Sequence, residues 1–130
     1  MPIRNIIRTK NAPISAAPLN QAVQVDHTLY VSGTLGIDPK TNKLVTGGVQ
    51  AETRMALQNI NEILKVAVVK VTVLLQDIST FAQVNQVYRE FFTDNQPARM
   101  AYEVAKLPLK GAMIEIEAIA TVGELVTSKL

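Results

Sequence analysis

The sequence predicts an α+β subunit in which two helices cover one face of a six-stranded mixed sheet, in the chain order βββαβαββ. Three observations predict this class. Short strand-like apolar runs lie near both ends of the chain, and two central stretches repeat their apolar residues every three or four positions. Between these stretches, the run from Val68 to Leu75 is apolar and β-branched enough for a central strand. Because two helices are too few for both faces, one face of the sheet is expected to stay open for a partner.

Length and composition set the broad class. The 130 residues are expected to form a single domain, residues 1–130, that buries a core without disulfides or metals. A hydrophobic fraction of 48% beside 18% charged residues favours an oligomer that covers surplus apolar surface. The net charge of +2 gives little support for nucleic-acid binding. The absence of cysteine and the single His27 exclude a cysteine nucleophile, a thiolate zinc site and a multi-histidine metal site.

The first half of the sheet is predicted from three strand-like segments, Arg4 to Arg8, Gln21 to Val25 and Leu29 to Gly33. His27, between Asp26 and Thr28, is interpreted as part of a hairpin turn. The polar run from Asp38 to Lys43 predicts a further turn.

Two amphipathic helices are predicted. The buried stripe of the first helix comprises Ala56, Leu57, Ile60, Ile63, Leu64 and Ala67. Since no turn residue separates it from Val68, either this helix ends near Leu64 or a loop is absent from the chain, and we favour the absent loop. The second helix begins after Thr80 as N-cap, with Gln83 in the capping-box position. Its inner side is expected to carry Phe81, Val84, Tyr88, Phe91 and Phe92.

The last two strands carry charges on apolar segments. In the run from Ile114 to Ala120, a period of two places Ile114, Ile116, Ala118 and Ala120 on one face and Glu115, Glu117 and Ile119 on the other. If this run pairs with the run from Arg99 as a hairpin, Arg99 lies opposite position 118, and Glu115 lies roughly 10 Å along the strand. The arginine fork suits a carboxylate, and the glutamate could act as a base or hold a water. The alternatives are a surface ion pair and a solvated carboxylate.

Several spaced motifs resemble one known family. They are Ser32-Gly33 after a strand, Val84-Asn85 followed by Tyr88, Pro97-Ala98-Arg99, the segment from Val104 to Pro108 and the segment from Ile114 to Ala118, with Asn11-Ala12-Pro13, Pro18 and Gln21-Ala22 near the start. Together and in this order they resemble the reactive intermediate deaminase family, called RidA or YjgF and also translation inhibitor or endoribonuclease L-PSP.

The resemblance implies a chorismate-mutase-like subunit, a homotrimer and ligand sites in the clefts between subunits. It implies hydrolysis of 2-imino acids or their enamines, of the 2-iminobutanoate and 2-iminopropanoate type, to 2-oxo acids and ammonia, without a cofactor or metal. By the same resemblance Arg99 binds the substrate carboxylate, Glu115 positions the attacking water, and Ser32 and Asn85 are cleft residues.

Departures from the family pattern leave the function open. Leu19 stands where members carry a tyrosine, which removes a hydroxyl from the substrate-binding set. Thr34 and Gln96 also differ from the usual residues, and a short loop that members have between Ala67 and Val68 is missing. The deaminase therefore has two alternatives, a non-catalytic trimeric binding protein for small carboxylates and an RNA-cleaving translation inhibitor. The lone histidine and the lack of a basic cluster disfavour the RNA-cleaving function.

The expected location is the cytoplasm, because no apolar run is long enough to span a bilayer and the start lacks the apolar core of a secretory signal. The last three residues, Ser128, Lys129 and Leu130, match the tripeptide that the peroxisomal import receptor recognises. Peroxisomal import is therefore a second expectation, for a eukaryotic source.

Overall fold

One six-stranded mixed sheet and two helices make up the protein, as a computed structural model of residues 1–130 shows. The strands are β1 (Arg4–Ile7), β2 (Ala22–Val25), β3 (Thr28–Leu35), β4 (Ile37–Asp38), β5 (Lys43–Leu44), β6 (Ala67–Leu75), β7 (Ala98–Glu103) and β8 (Ile114–Thr121), and the helices are α1 (Gly48–Leu64) and α2 (Phe81–Phe91). The sheet order is β1-β2-β3-β8-β6-β7, and only β6 and β7 are parallel. The predicted fold class is confirmed, and a small β4–β5 hairpin is added at the predicted polar turn.

The centre of the core is β8, which lies between β3 and β6. Its alternation is the predicted one: Ile114, Ile116, Ala118 and Ala120 are all at most 4% exposed. Glu115 and Glu117 point to the opposite face, which no helix covers. The period of two therefore places both carboxylates outside the core.

Helix α1 covers β3 and β8, and two polar side chains on its buried face hold it there. The Asn59 amide donates to the carbonyls of Leu35 and Ile37, at 3.2 and 2.8 Å. The Glu52 carboxylate accepts from the backbone N–H of Met113 at 2.9 Å, and burial raises the pKa of Glu52. The Asn59 bonds fix the β3–β4 connection, and the Glu52 bond fixes the loop before β8. The apolar periodicity predicted none of these long-range hydrogen bonds.

The reversal from α1 to β6 takes only Lys65 and Val66. Lys65 adopts a left-handed conformation with φ of 50°, and its N–H bonds the Asn61 carbonyl, so the helix ends at Leu64. A bulge at Val69 then shifts the register of β6 against β8. In this chain the helix therefore ends at Leu64, which was the first of the two predicted alternatives. The assignment of Ala67 to the helix stripe is wrong, because Ala67 begins β6. A loop lost from a longer chain stays a prediction.

Helix α2 begins after Thr80, as predicted, but without the capping box. The Thr80 hydroxyl donates instead to the Asp77 carbonyl at 2.7 Å, and the Asp77 carboxylate accepts from the Ser79 N–H at 2.9 Å. The side-chain cap thus belongs to the 3-10 turn Ile78–Thr80 that precedes the helix.

The predicted hairpin of the last two strands is wrong. Strand β7 pairs with β6, in parallel, and β6 separates it from β8. The physical reason is the α2 crossover, which returns the chain parallel to the strand it left. Val71 of β6 is the register partner of both Arg99 and Ala118, so the two positions are level but two strands apart.

The open face of the sheet is markedly apolar. Ile6, Tyr30, Met100 and Tyr102 lie on this face, by their register with β8 or β6, and are 58%, 52%, 54% and 46% exposed. An apolar face of this extent is typical of a surface that another protein covers. Neither helix combines the length and the apolar character that crossing a membrane requires.

Candidate active site

The predicted site residues fall into two groups that lie on opposite faces of the sheet. Arg99 and Asn85 are on the side of the helices, where Arg99 lies beside the buried Val71 in register. Ser32, Leu19 and Glu115 line a different cavity. Glu115 projects to the open face, since its neighbours Ile114 and Ile116 are in the core.

The Arg99 guanidinium is held by neutral groups alone. Its Nη1 donates to Asn85 Oδ1 at 2.7 Å, and its carbon lies 4.6 Å from the ring centre of Tyr88 and 5.2 Å from that of Phe81. Both ion pairs of the chain, Arg54–Glu90 and Lys65–Glu62, lie elsewhere. The guanidinium therefore has a fixed plane, an unneutralised charge and free N–H groups, which is the arrangement that binds a carboxylate through two parallel hydrogen bonds.

A cavity of about 240 Å³ surrounds Arg99. Tyr88, Arg89, Gln96 and Pro97 line it with Asn85. Burial raises the pKa of Tyr88, and its hydroxyl has no hydrogen-bond partner. Sequence reasoning assigned Tyr88 to the core and missed that its ring supports Arg99, although the spacing of Asn85 and Tyr88 on one helix face could have indicated it.

Glu115 owes its position to a glycine. Gly33 lies at the β3 bulge, and a Cβ there would fall 2.5 Å from Glu115 Oε1. A residue with any side chain would displace the carboxylate, so the Ser32-Gly33 motif has a steric reason. The motif itself was found from the sequence, but this contact was not.

The Glu115 carboxylate is a desolvated anion without a donor. Burial raises its pKa, and the like charge of Glu117 raises it further. No side chain or backbone group of this chain hydrogen-bonds to it. A carboxylate with a raised pKa and free oxygens is suited to accept a proton from a bound water.

The cavity beside Glu115 has a volume of about 590 Å³ and lies where β3 extends beyond β2. Ser32 contributes to its wall, and its hydroxyl donates to the Asn20 carbonyl at 2.6 Å. Leu19, on the neighbouring loop, lines the same cavity and is 49% exposed. Ser32 and Leu19 thus accompany Glu115, as expected, while Asn85 accompanies Arg99.

Arg99 and Glu115 do not flank one ligand within a single chain. They are two strands apart, roughly 10 Å across the sheet, and a further three residues along it. Their side chains also leave opposite faces. The predicted proximity of Arg99 and Glu115 followed from the wrong hairpin and is itself wrong.

The class of protein that the fold and the two cavities define is a small α+β subunit with a free, pre-positioned arginine on one face of its sheet and a desolvated carboxylate on the other. Residues 9–122 match the sequence profile of the family described as Endoribonuclease L-PSP. The chain belongs to this family, which is the RidA/YjgF family of the resemblance, so the expected membership is confirmed.

Relatives and solved structures extend the likeness over nearly the whole chain. The chain is 52% identical to 2-iminobutanoate/2-iminopropanoate deaminase of Homo sapiens, over 98% of this chain and 97% of that protein. The structure of RidA from the Antarctic bacterium Psychrobacter sp. PAMC 21119 is 39% identical, with a TM-score of 0.85 and coverage of 91% and 99%. That of E. coli TdcF with bound serine is 33% identical, with a TM-score of 0.85 and coverage of 92% and 99%.

Proposed function

We propose that this protein hydrolyses reactive 2-imino acids of the 2-iminobutanoate and 2-iminopropanoate type to 2-oxo acids and ammonia. The observation that carries the proposal is the Arg99 guanidinium, which is fixed by Asn85 and Tyr88 and has no carboxylate partner of its own. The names of relatives more than half identical over nearly their full length support the same chemistry.

The residues supply what the reaction needs. Arg99 binds the substrate carboxylate and so holds the C=N carbon in place. Glu115 accepts a proton from a water as that water attacks this carbon, and the proton passes to the imine nitrogen, so that a neutral tetrahedral carbinolamine forms. A second proton passes from the carbinolamine hydroxyl through Glu115 to the nitrogen, the C–N bond breaks, and ammonia leaves as the C=O bond forms. No metal or covalent nucleophile takes part in these steps.

The site requires more than one copy of the chain. We propose that the apolar open face assembles a homotrimer and that Arg99 of one subunit approaches Glu115 of the next. Opposite faces of one sheet prevent the two residues from sharing a ligand within a subunit. The exposed Ile6, Tyr30, Met100 and Tyr102 support a large contact between copies.

The decisive assay generates imino acids with an amino-acid oxidase and measures the release of 2-oxo acid against the buffer rate. Wild type is expected to accelerate hydrolysis, and Arg99→Ala to lose the acceleration. Arg54→Ala is the matched control, because Arg54 pairs with Glu90 outside both cavities. An Arg99→Ala rate equal to wild type, or no acceleration at all, would sink the proposal.

Leu19 favours a second candidate, a trimer that binds small carboxylates without turning them over. Leucine has no hydroxyl to orient a substrate or pass a proton, and Leu19 lines the cavity of Glu115. This candidate predicts thermal stabilisation by 2-oxo acids without hydrolysis of any imine. Neither cavity offers a histidine for RNA cleavage, because the single histidine, His27, lies in the β2–β3 turn. The cytoplasmic and peroxisomal locations stay predictions.

A further inference from the structure

The larger cavity has a wall that is more apolar than a small charged substrate requires. Ile14, Leu19 and Leu109 line it and are 44%, 49% and 38% exposed. Exposed apolar side chains that converge on one concave surface often form a binding site. The volume of about 590 Å³ lies in the range, ~300–1,000 Å³, of pockets for drug-sized ligands. An imino acid with a methyl or ethyl side chain fills only a small part of it.

Leu19 is held in place by the loop that carries it. The buried Gln21 side chain donates to the carbonyls of Thr9, Ala12 and Pro13 and accepts from the N–H of Thr9. A tight turn adds a hydrogen bond of 2.8 Å from the Leu19 N–H to the Ala17 carbonyl. The loop therefore presents Leu19 as a fixed wall of the cavity rather than a movable cover.

A short series of contacts joins this wall to the reacting centre. The Asn20 carbonyl, next to Leu19, accepts from the Ser32 hydroxyl at 2.6 Å. Gly33 follows Ser32 and lies directly against the Glu115 carboxylate. A substrate whose C=N carbon meets a water held by Glu115 would thus direct its side chain along the wall formed by Ile14, Leu19 and Leu109.

We propose that Leu19 makes this site select 2-imino acids with a branched aliphatic side chain, such as the imine formed when leucine is oxidised, over those with a methyl or ethyl group. This inference rests on the proposed function and deepens it by naming the substrate class. Each further buried methylene is expected to favour the larger substrate about three- to fourfold. The isobutyl side chain has two carbons more than ethyl and therefore gains at least about tenfold in kcat/KM over ethyl.

The test measures kcat/KM for the imines that an amino-acid oxidase forms from leucine and from 2-aminobutanoate. Wild type is expected to prefer the leucine-derived imine about tenfold. Leu19→Ala, which removes the wall, and Leu19→Tyr, which fills the cavity, are both expected to reduce that ratio to near one. The matched control is Leu125→Tyr, because Leu125 is 50% exposed and lies outside both cavities. A wild-type ratio near one, or a ratio that either Leu19 variant leaves unchanged, overturns the inference.

Binding measurements separate this inference from the proposed function. Calorimetry with 2-oxobutanoate and 4-methyl-2-oxopentanoate gives a ratio of Kd values that needs no turnover. If wild type hydrolyses no imine, the proposed function fails, yet a tenfold preference for 4-methyl-2-oxopentanoate that Leu19→Ala abolishes still upholds the selective wall. Equal Kd values for the two 2-oxo acids overturn it, whatever the hydrolysis assay shows.

Discussion

The surroundings of Arg99 leave its charge available, whereas the surroundings of Glu115 destabilise its charge. Arg99 is exposed but held by an amide and two aromatic rings, so its position is determined while its charge stays available. Glu115 is half-buried and has no donor, so its charge is destabilised and its pKa raised. One region is organised to bind an anion, and the other is organised to take up a proton.

The separation of these regions has a physical advantage. In direct contact the two charges would neutralise each other and return the carboxylate pKa toward or below its ordinary value. On opposite faces of one sheet they stay apart within a chain, and in the proposed trimer a bound ligand would lie between them. Substitutions on either side are expected to affect activity differently.

The largest effect is expected from Glu115→Gln. Loss of the proton acceptor should lower kcat at least about a hundredfold, whereas Arg99→Ala should mainly raise KM. Thermal stability should hold or rise, because the variant removes a carboxylate that has no partner. Glu124→Gln, at an exposed position, is the control and should leave both kinetic constants unchanged. A Glu115→Gln enzyme with wild-type kcat would show that the carboxylate takes no part.

Mixed assemblies test whether the two regions meet between subunits. Arg99→Ala and Glu115→Gln subunits, each nearly inactive alone at a substrate concentration below the wild-type KM, are unfolded together at equal amounts and refolded. Random trimers of the two should recover about a quarter of wild-type activity, because each mixed trimer contains one cleft with both native residues. No recovery in refolded trimers would place both residues of a site in one subunit.

A single methyl group should disturb the carboxylate side alone. In Gly33→Ala the new Cβ would lie 2.5 Å from Glu115 Oε1, so the side chain must move away. We expect a loss of about tenfold in kcat, since small displacements of a reacting group are costly. The Kd for a 2-oxo acid should change less than kcat, and the opposite order would argue that Gly33 serves binding rather than catalysis.

The arginine side is tested by two substitutions of Tyr88. Tyr88→Phe keeps the ring under Arg99 and removes a buried hydroxyl without a partner, so stability should rise by up to about 1 kcal/mol. Tyr88→Leu removes the ring, and KM should rise about threefold through the lost cation–π contact. Equal KM values for the two variants would show that the ring does not orient Arg99.

The smallest effect is a shift in pH dependence. The active form of Glu115 is the carboxylate, so the rate should fall as the pH drops through its raised pKa. Glu117→Gln removes the like charge that contributes to that rise, and the acidic limb of the kcat profile should move to lower pH. Burial remains, so the limb should stay above the ordinary pKa of a glutamate. A shift to higher pH would contradict this interpretation.

Periodicity predicted the parts of the fold in which one face is buried and the other is not. The alternation of β8 and the stripe of α1 are of this kind, and both were located correctly apart from Ala67. The face of β7 could not be determined in this way, because five of its six residues are exposed and it has no contrasting pattern. The central position of β6 was predicted, and a central strand needs a neighbour on each side. Strand β7 is one of these neighbours, which the predicted hairpin of β7 with β8 left out.

The site residues were found through spaced motifs, but their grouping needed the topology. Nothing local in the sequence says that Arg99 and Glu115 leave opposite faces. The side-chain hydrogen bonds of Gln21, Glu52 and Asn59 could not be predicted from local sequence either. Their partners lie between eight and 61 residues away along the chain.

The hydrogen bonds of the Gln21 side chain allow members of this fold to vary the residues of the loop that precedes it. One amide makes four hydrogen bonds to Thr9, Ala12 and Pro13, so the shape of the preceding loop does not depend on its side chains. Position 19 can then exchange one side chain for another with little penalty in folding. The fixed backbone around Gln21 thus acts as a scaffold for an exchangeable contact residue, as the rigid immunoglobulin sandwich does for the variable loops of an antibody.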